Sequence, residues 1–301
     1  MRTKLIFLVG PTAVGKTDLS VSLAKKINAE IISCDSMQVY KGMDILTSKP
    51  PVGLRKKIPH HLIDVVKPSG EYNVSKYRGQ AIRKISEIVK RGKTPFFVGG
   101  SGLYMSVVVD GIFEVKTEDP ALRKKLYKQA KECGSQKLHA DLVKVDPRAA
   151  AKIHPNDAKR IIRALEVFKV SGKPISQMQS ARKGLGDEYD IRIFCLDMPR
   201  EELDKRIDLR VERMFRQGLV KEVKGLLKAR LSKTAAMAIG IKEVKGYLNG
   251  EYSLQEAKTL VKNNTRKYAR RQMTWFRKDK RIIWVSKAET LLGLIGKPGG
   301  N

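Results

Sequence analysis

Acidic residues are scarce in this chain: 31 Asp and Glu stand against 61 Lys and Arg in 301 residues, a formal charge of +30. A small-molecule kinase has no need of such an excess, whereas a field this positive attracts polyanions and speeds their association. A general solubility bias is the bland alternative. The excess is spread along the sequence, at +9 in residues 1–115, +7 in 116–190 and +14 in 191–301, so a polyanionic partner is expected to touch the whole molecule. Cysteine is scarcer still. Cys34, Cys133 and Cys195 stand far apart, which excludes a disulfide framework and zinc-ligand spacing and suits a reducing cytosol. No apolar run approaches the eighteen or so residues of a membrane span, and the first strand pattern begins at residue 5, so a cytoplasmic protein without a leader segment is expected. Internal repeats and low-complexity tracts are absent.

What is present begins with Gly10-Pro11-Thr12-Ala13-Val14-Gly15-Lys16-Thr17, which fits the phosphate-loop pattern G-x-x-x-x-G-K-[ST]. The apolar run Leu5–Val9 precedes it and reads as a buried strand; Leu19, Leu23 and Ile27 follow at helical spacing. Glycines let such a loop wrap an anion with its N–H groups, and the helix start adds positive potential. Lys16 would reach the terminal phosphate, and the Thr17 hydroxyl would bind Mg²⁺.

The alternation of strands and helices continues. Ile31–Ser33 reads as a strand ending at Asp35, Tyr77–Lys90 as a helix with Ile82, Ile85, Ile88 and Val89 on its spacing, and Pro95–Val98 as a strand ending in Gly99-Gly100-Ser101-Gly102. This predicts an α/β fold with a P-loop NTPase-like parallel-sheet core, its ligand at the carboxyl ends of the strands. Residues 116–189 read as a basic helical insertion, with helices over 121–133, 136–145 and 156–171. A strand returns at Ile191–Leu196, long helices follow over 200–231 and 253–278, and a last strand spans Ile282–Val285. The core is therefore expected over 1–115 and 190–295, and 296–301 as a disordered tail.

Several side chains are candidates for chemistry. Asp35 follows a strand and faces the expected crevice; it could hold Mg²⁺ through water, accept a proton from a nucleophile, or simply cap a helix. The cluster Gly99–Gly102 could be a second anion nest, a place of close backbone approach, or a simple tight turn. Arg206, Arg210 and Arg213 form one helical stripe, suited to a polyphosphate and to charge leaving onto it, or else a solvated face paired with Asp204, Asp208 and Glu212. Residues 262–281 carry nine basic side chains against Asp279 alone, with Tyr268, Trp275 and Phe276 interleaved; the aromatics could stack on unpaired bases or anchor an amphipathic helix. No strand ends in an obvious ATPase aspartate. Asp64 is nearest, but it follows the loop Pro59-His60-His61, and those histidines lack a third metal ligand.

Together these segments resemble the tRNA dimethylallyltransferase (tRNA isopentenyltransferase) family in its bacterial form. The resemblance runs through the phosphate loop, Asp35–Tyr40, Pro59–Asp64, Gly99–Tyr104, Lys159–Glu166, Ala238–Gly240 and Arg271–Arg277. It departs at Ile241, where the family usually has Tyr, and nothing after Val285 has the zinc-ligand spacing of eukaryotic members. The resemblance implies transfer of a dimethylallyl group from dimethylallyl diphosphate to N6 of the adenine at tRNA position 37. It implies a diphosphate cradle of Gly10, Pro11, Thr12, Ala13, Val14, Gly15, Lys16 and Thr17, with Mg²⁺ on Thr17. It makes Asp35 the proton acceptor, and Thr12 and Arg210 the stabilisers of charge on the bridging oxygen. Contacts to the tRNA anticodon stem-loop are implied at Asp35, Ser36, Met37, Gln38 and Ser101. On the insertion they are implied at Arg123, Lys159, Arg160, Ile161, Ile162 and Arg163, and late in the chain at Arg270, Arg271, Gln272, Trp275 and Arg277. A cytoplasmic monomer without an obligate protein partner is expected. The rivals are an adenylate isopentenyltransferase acting on free AMP or ADP and a P-loop small-molecule kinase; the basic surface argues against both.

Overall fold

The computed structural model describes residues 2–113, 118–286 and 288–296. The chain divides into two compact units, one formed by Met1–Val109 with Leu185–Asn301 and the other by Asp110–Gly184. The insertion thus begins and ends a few residues earlier than its composition suggested. The start expected at 116 lies outside the described residues, as does the expected tail from 297 on, and Gly296 closes the last helix.

The first half of the larger unit runs β1 (Thr3–Val9), α1 (Lys16–Lys26), β2 (Ala29–Ser33), α2 (Val52–Lys57), β3 (His60–His61), α3 (Val74–Lys90), β4 (Thr94–Gly99) and α4 (Gly102–Val109). Among the described residues one sheet forms, in the order β3-β2-β4-β1-β5-β6, where β5 is Tyr189–Leu196 and β6 is Ile282–Val285. Every pairing is parallel. Parallel strands are covered on both faces, which is why Leu5–Val9 is an unbroken apolar run with every side chain buried. The register matters for function. Val9 lies opposite Gly99 and Cys195, and Ser33 opposite Val98, so the loops after β1, β2 and β4 leave the sheet at one level.

Two expectations change here. His60–His61 is a strand at the sheet edge rather than a loop, too short to have shown a pattern. It is anchored by Glu30, a buried carboxylate that also binds Arg91 and Lys93. On α3 the buried face is Tyr77, Ala81, Ile85 and Ile88; the Tyr77 hydroxyl donates to the Ser33 carbonyl at 3.0 Å.

The insertion unit holds α5 (Pro120–Cys133), α6 (Ser135–Val145), the short α7 (Pro147–Ala150), α8 (Ala158–Ser171) and α9 (Ile175–Ser180). Its core gathers Leu126, Leu138, Leu142, Ile161, Ile162 and Leu165. Asp146 ties its short elements together: the carboxylate caps α7 at Ala149 and accepts from the Ser176 N–H and hydroxyl.

The larger unit then continues with α10 (Arg200–Arg216), α11 (Leu219–Leu226), α12 (Ile241–Leu248), α13 (Leu254–Phe276), β6 and α14 (Ala288–Gly296). The single helix expected over 200–231 is two, because Gly218 takes φ +100° and turns the chain. The turn lets the Glu222 carboxylate accept from the N–H groups of Asp44, Ile45 and Leu46 at 2.8–3.0 Å, fixing the long loop after β2.

Candidate active site

The phosphate loop closes against helix α1 as its sequence requires. Gly15 precedes the helix at φ +98° and no side chain caps it, so the first N–H groups of α1 point into the cavity without an internal partner. Lys16 folds back along the loop and donates to the carbonyls of Gly10 at 2.9 Å and Pro11 at 2.6 Å. Burial, and then the nearby Arg210, lower the Lys16 amine to about 8. Two cations so close and so little hydrated await an anion.

Asp35 stands across the crevice. Its Oδ1 accepts from the Met37 N–H at 2.8 Å and, at longer range, from the Gln38 N–H; residues 36–39 form a turn and not a helix, so Asp35 braces that turn rather than capping a helix. It leaves Oδ2 available to the cavity. The negative charge of Asp35 supports the cationic forms of both Lys16 and Arg210. The loop, Asp35 and Arg210 line a cavity of about 790 Å³. A smaller lobe of about 210 Å³ opens beside it, bounded by Met37, Met214, Met237, Ala238 and Ile239. Thr12, Asp35, Thr47, Arg210, Met214 and Tyr268 line both lobes, so Thr12, Asp35 and Arg210 stand where the side of the phosphate loop meets a more apolar side.

The arginine stripe of α10 is resolved by its acids. Asp208 accepts from Arg266 of α13 at 2.6 Å, and Glu212 binds Lys258 and Lys262. The acidic face of α10 therefore grips α13, while Arg206, Arg210 and Arg213 turn to the cavity. The solvated-face alternative fails for Arg210, whereas Arg206 and Arg213 line the cavity from exposed positions and Arg206 also pairs with Glu202 at 2.7 Å. It follows that Lys262 and Arg266 of the basic run hold the fold together, and that Arg281 is paired within its own turn with Asp279.

Asp64 offers no ATPase metal site. Its carboxylate binds the buried Lys49 at 2.6 Å and Arg55 at 3.0 Å. Among the described residues no group of three or more His, Cys, Asp or Glu could hold a metal ion.

The glycine cluster after β4 serves close approach, one of the readings its sequence offered: a side chain at Gly99 would sit 2.1 Å from the Cys34 carbonyl oxygen. A side chain at Gly100 would sit 2.1 Å from the Gln272 amide nitrogen, and one at Gly102 would sit 2.2 Å from the Trp275 ring. The cluster is a seat for α13. Gln272 is buried in that seat, with both amide ends engaged: it accepts from the Thr12 N–H at 2.9 Å and donates to the Gly100 carbonyl at 2.8 Å. Its expected role as an RNA contact is corrected accordingly. Trp275 rests on Gly102 with 46% of its surface exposed, and Arg270, Arg271 and Arg277 are exposed beside it. Arg271 stacks over the Tyr268 ring. Ser36 and Met37 line the smaller lobe and Gln38 the larger, and the Ser101 N–H donates to the Cys34 carbonyl. Ile241, at the departure from the resemblance, is buried.

In the insertion unit, Lys159 and Arg160 are exposed on α8. Ile161 and Ile162 are core residues at 0% and 1% exposure, so their side chains cannot meet an RNA. Arg123 and Arg163 converge on the fully buried Glu166, at 2.9 and 2.8 Å, and Glu166 also accepts from the Asp119 N–H. Arg123 thereby bridges α5 to α8, and Arg163 joins the same buried carboxylate from within α8. Glu166→Ala removes the carboxylate they share with the Asp119 N–H and is expected to destabilise the protein by about 1–2 kcal/mol, read as a lower thermal midpoint of the insertion unit; an unchanged midpoint would show the pairing to be incidental.

A phosphate loop beneath an apolar lobe, with a carboxylate and an arginine at their junction, defines an α/β enzyme that acts on a diphosphate or polyphosphate ester. The chain belongs to the IPP transferase family, whose model matches residues 38–279, and a second model described as isopentenyl transferase matches residues 1–56. A tRNA dimethylallyltransferase from Carboxydothermus hydrogenoformans is 49% identical over 97% of this chain and 94% of its own length. One from Geobacter sulfurreducens is 47% identical over 94% and 92%. The crystal structure of the full-length tRNA isopentenylpyrophosphate transferase from Bacillus halodurans superposes with a TM-score of 0.72 at 40% identity, covering 98% of this chain and 96% of that one. A eukaryotic dimethylallyltransferase captured acting on tRNA gives a TM-score of 0.80 at 31% identity, covering 95% and 75%.

Proposed function

We propose that this chain transfers the dimethylallyl group of dimethylallyl diphosphate to N6 of the adenine at position 37 of tRNA, beside the anticodon, and releases diphosphate. The observation that carries the reading is the shared junction: Thr12, Asp35 and Arg210 border the lobe of the phosphate loop and the more apolar lobe alike. A kinase would need its acceptor base beside the terminal phosphate, whereas here the polar junction lies between a diphosphate grip and a pocket for a hydrocarbon and a base.

In the proposed reaction the diphosphate lies on the loop Gly10–Thr17, held by the N–H groups that open α1 and by Lys16. The bond from the allylic carbon to the bridging oxygen breaks, and its electron pair leaves with the diphosphate. Thr12 and Arg210 stabilise the charge that grows on that oxygen. The adenine nitrogen forms the new bond to the allylic carbon, and its proton passes to Asp35. The donor set fits Mg²⁺: Thr17 at the head of α1 supplies one oxygen, and substrate phosphates and water supply the rest, the usual coordination of this ion where no carboxylate cage exists. When bound, Mg²⁺ would neutralise charge on the departing diphosphate.

An adenine reaches the cavity only by leaving the anticodon-loop stack. Lys159 and Arg160 on the insertion and Arg270, Arg271, Trp275 and Arg277 on α13 are the contacts proposed for the tRNA, with Asp35–Gln38 and Ser101 nearest the target base. No described helix is long and apolar enough to cross a membrane, in keeping with a proposed cytoplasmic site of action. Incubation with labelled dimethylallyl diphosphate tests the reading. Label is expected on unmodified tRNA and not on AMP; label on AMP alone would overturn it.

A further inference from the structure

Thr12 of the phosphate loop and Gln272 of helix α13 are 260 residues apart in sequence and meet through a hydrogen bond. The loop N–H of Thr12 does not face the anion site; it donates to Gln272. The other end of the same amide holds the Gly100 carbonyl, which leaves the sheet at the level of the loop. An amide accepts at one end and donates at the other without carrying charge, at any pH of interest. The seat has no slack, since a methyl at Gly100 would strike the Gln272 nitrogen.

We infer that Gln272 is a positioning residue for the transfer: it fixes the backbone of Thr12, and so aims the Thr12 side chain at the junction of the two lobes. Gln272 borders the larger lobe, but both ends of its amide are taken by protein groups, so it acts through Thr12. Its loss leaves the diphosphate grip of Lys16 and the helix start in place, and leaves the exposed basic face of α13 in place. The effect therefore falls on the chemical step. A misplacement of about 1 Å at a reacting centre lowers turnover by as much as a hundredfold.

The inference rests on the transferase reading, and the experiment separates the two. Wild-type turnover on tRNA is scored first; its absence refutes the transferase reading and this inference with it. With turnover established, kcat and both KM values are measured for Gln272→Met, Thr12→Ala and the double variant, with thermal midpoints alongside. Gln272→Met is expected to lower kcat roughly tenfold or more while each KM stays within about twofold, since it fills the seat without either hydrogen bond. The double variant is expected to be no slower than Thr12→Ala, because both act on one step. A wild-type kcat in Gln272→Met, or losses that multiply in the double variant, overturns the inference. If Gln272→Met does not fold, Gln272→Glu decides. Its protonated acid can accept from Thr12 and donate to Gly100, whereas its carboxylate opposes the Gly100 oxygen, so kcat relative to wild type is expected to recover as pH falls. A flat ratio overturns the inference.

Discussion

Asp35→Asn is expected to bind tRNA as the wild type does and to turn over about 10²–10⁴-fold more slowly. The substitution separates the two roles that Asp35 plays. As a brace for the turn, Asp35 uses Oδ1 to accept from the Met37 and Gln38 N–H groups. Asparagine has the same oxygen in the same place, so the loop after β2 keeps its shape. As a base, Asp35 needs a carboxylate, and an amide cannot take the proton from N6. Asp35→Ala removes both functions and adds a loss of about 1 kcal/mol from the turn's hydrogen bonds. The comparison that matters is therefore single-turnover rate in Asp35→Asn, with tRNA affinity measured on the same sample. An Asn variant near the wild-type rate would reduce Asp35 to a brace and move the base elsewhere.

What could be read from the sequence was whatever is local. The loop Gly10–Thr17 announces itself because strand, anion loop and helix are contiguous, and the parallel strands show as unbroken apolar runs. Asp35 was legible as a candidate because it follows a strand in the same way. The rest depends on pairings across long separations. Close approach was among the readings open for the glycines after β4, but what approaches Gly100 and Gly102 was not legible, because Gln272 and Trp275 lie about 170 residues on. The arginine stripe of α10 could be read as a solvated face because its own acids are adjacent in sequence; two of them, Asp208 and Glu212, in fact reach α13. Glu222, which clamps the loop after β2, gave no signal at all, since one glutamate on a helix looks like any other. Ile161 and Ile162 lay in a segment chosen by resemblance, and within it the helical period, not the motif, decides which residues face the core.

Lys16→Met is expected to weaken diphosphate binding and yet leave the substrate-free protein at least as stable as the wild type near pH 7. In the folded chain the Lys16 amine is lowered from 10.5 to about 8, first by burial and then by Arg210. Its charged form is thus disfavoured by folding. Below about pH 8 the amine is protonated in both states, and the full penalty, about 3 kcal/mol, is present. Between about 8 and 10.5 the unfolded chain binds the extra proton, so the wild type gains stability from this group as pH rises and the penalty fades. Methionine removes the penalty together with two hydrogen bonds, to the carbonyls of Gly10 and Pro11, each contributing about 1 kcal/mol. The balance slightly favours the variant at pH 7 and turns against it by about pH 10. Thermal unfolding of both proteins across that range checks the sign; a variant several degrees less stable at pH 7, with the same pH slope as wild type, would show that the amine is not strained. The same shift makes the free wild-type enzyme lose affinity for inorganic diphosphate as pH passes about 8, because the neutral amine no longer answers the anion, and Lys16→Met should show no such loss. A buried cation that weakens the empty protein is what a diphosphate site needs: the charge stays unsatisfied until the substrate arrives, and binding relieves the penalty that folding imposed.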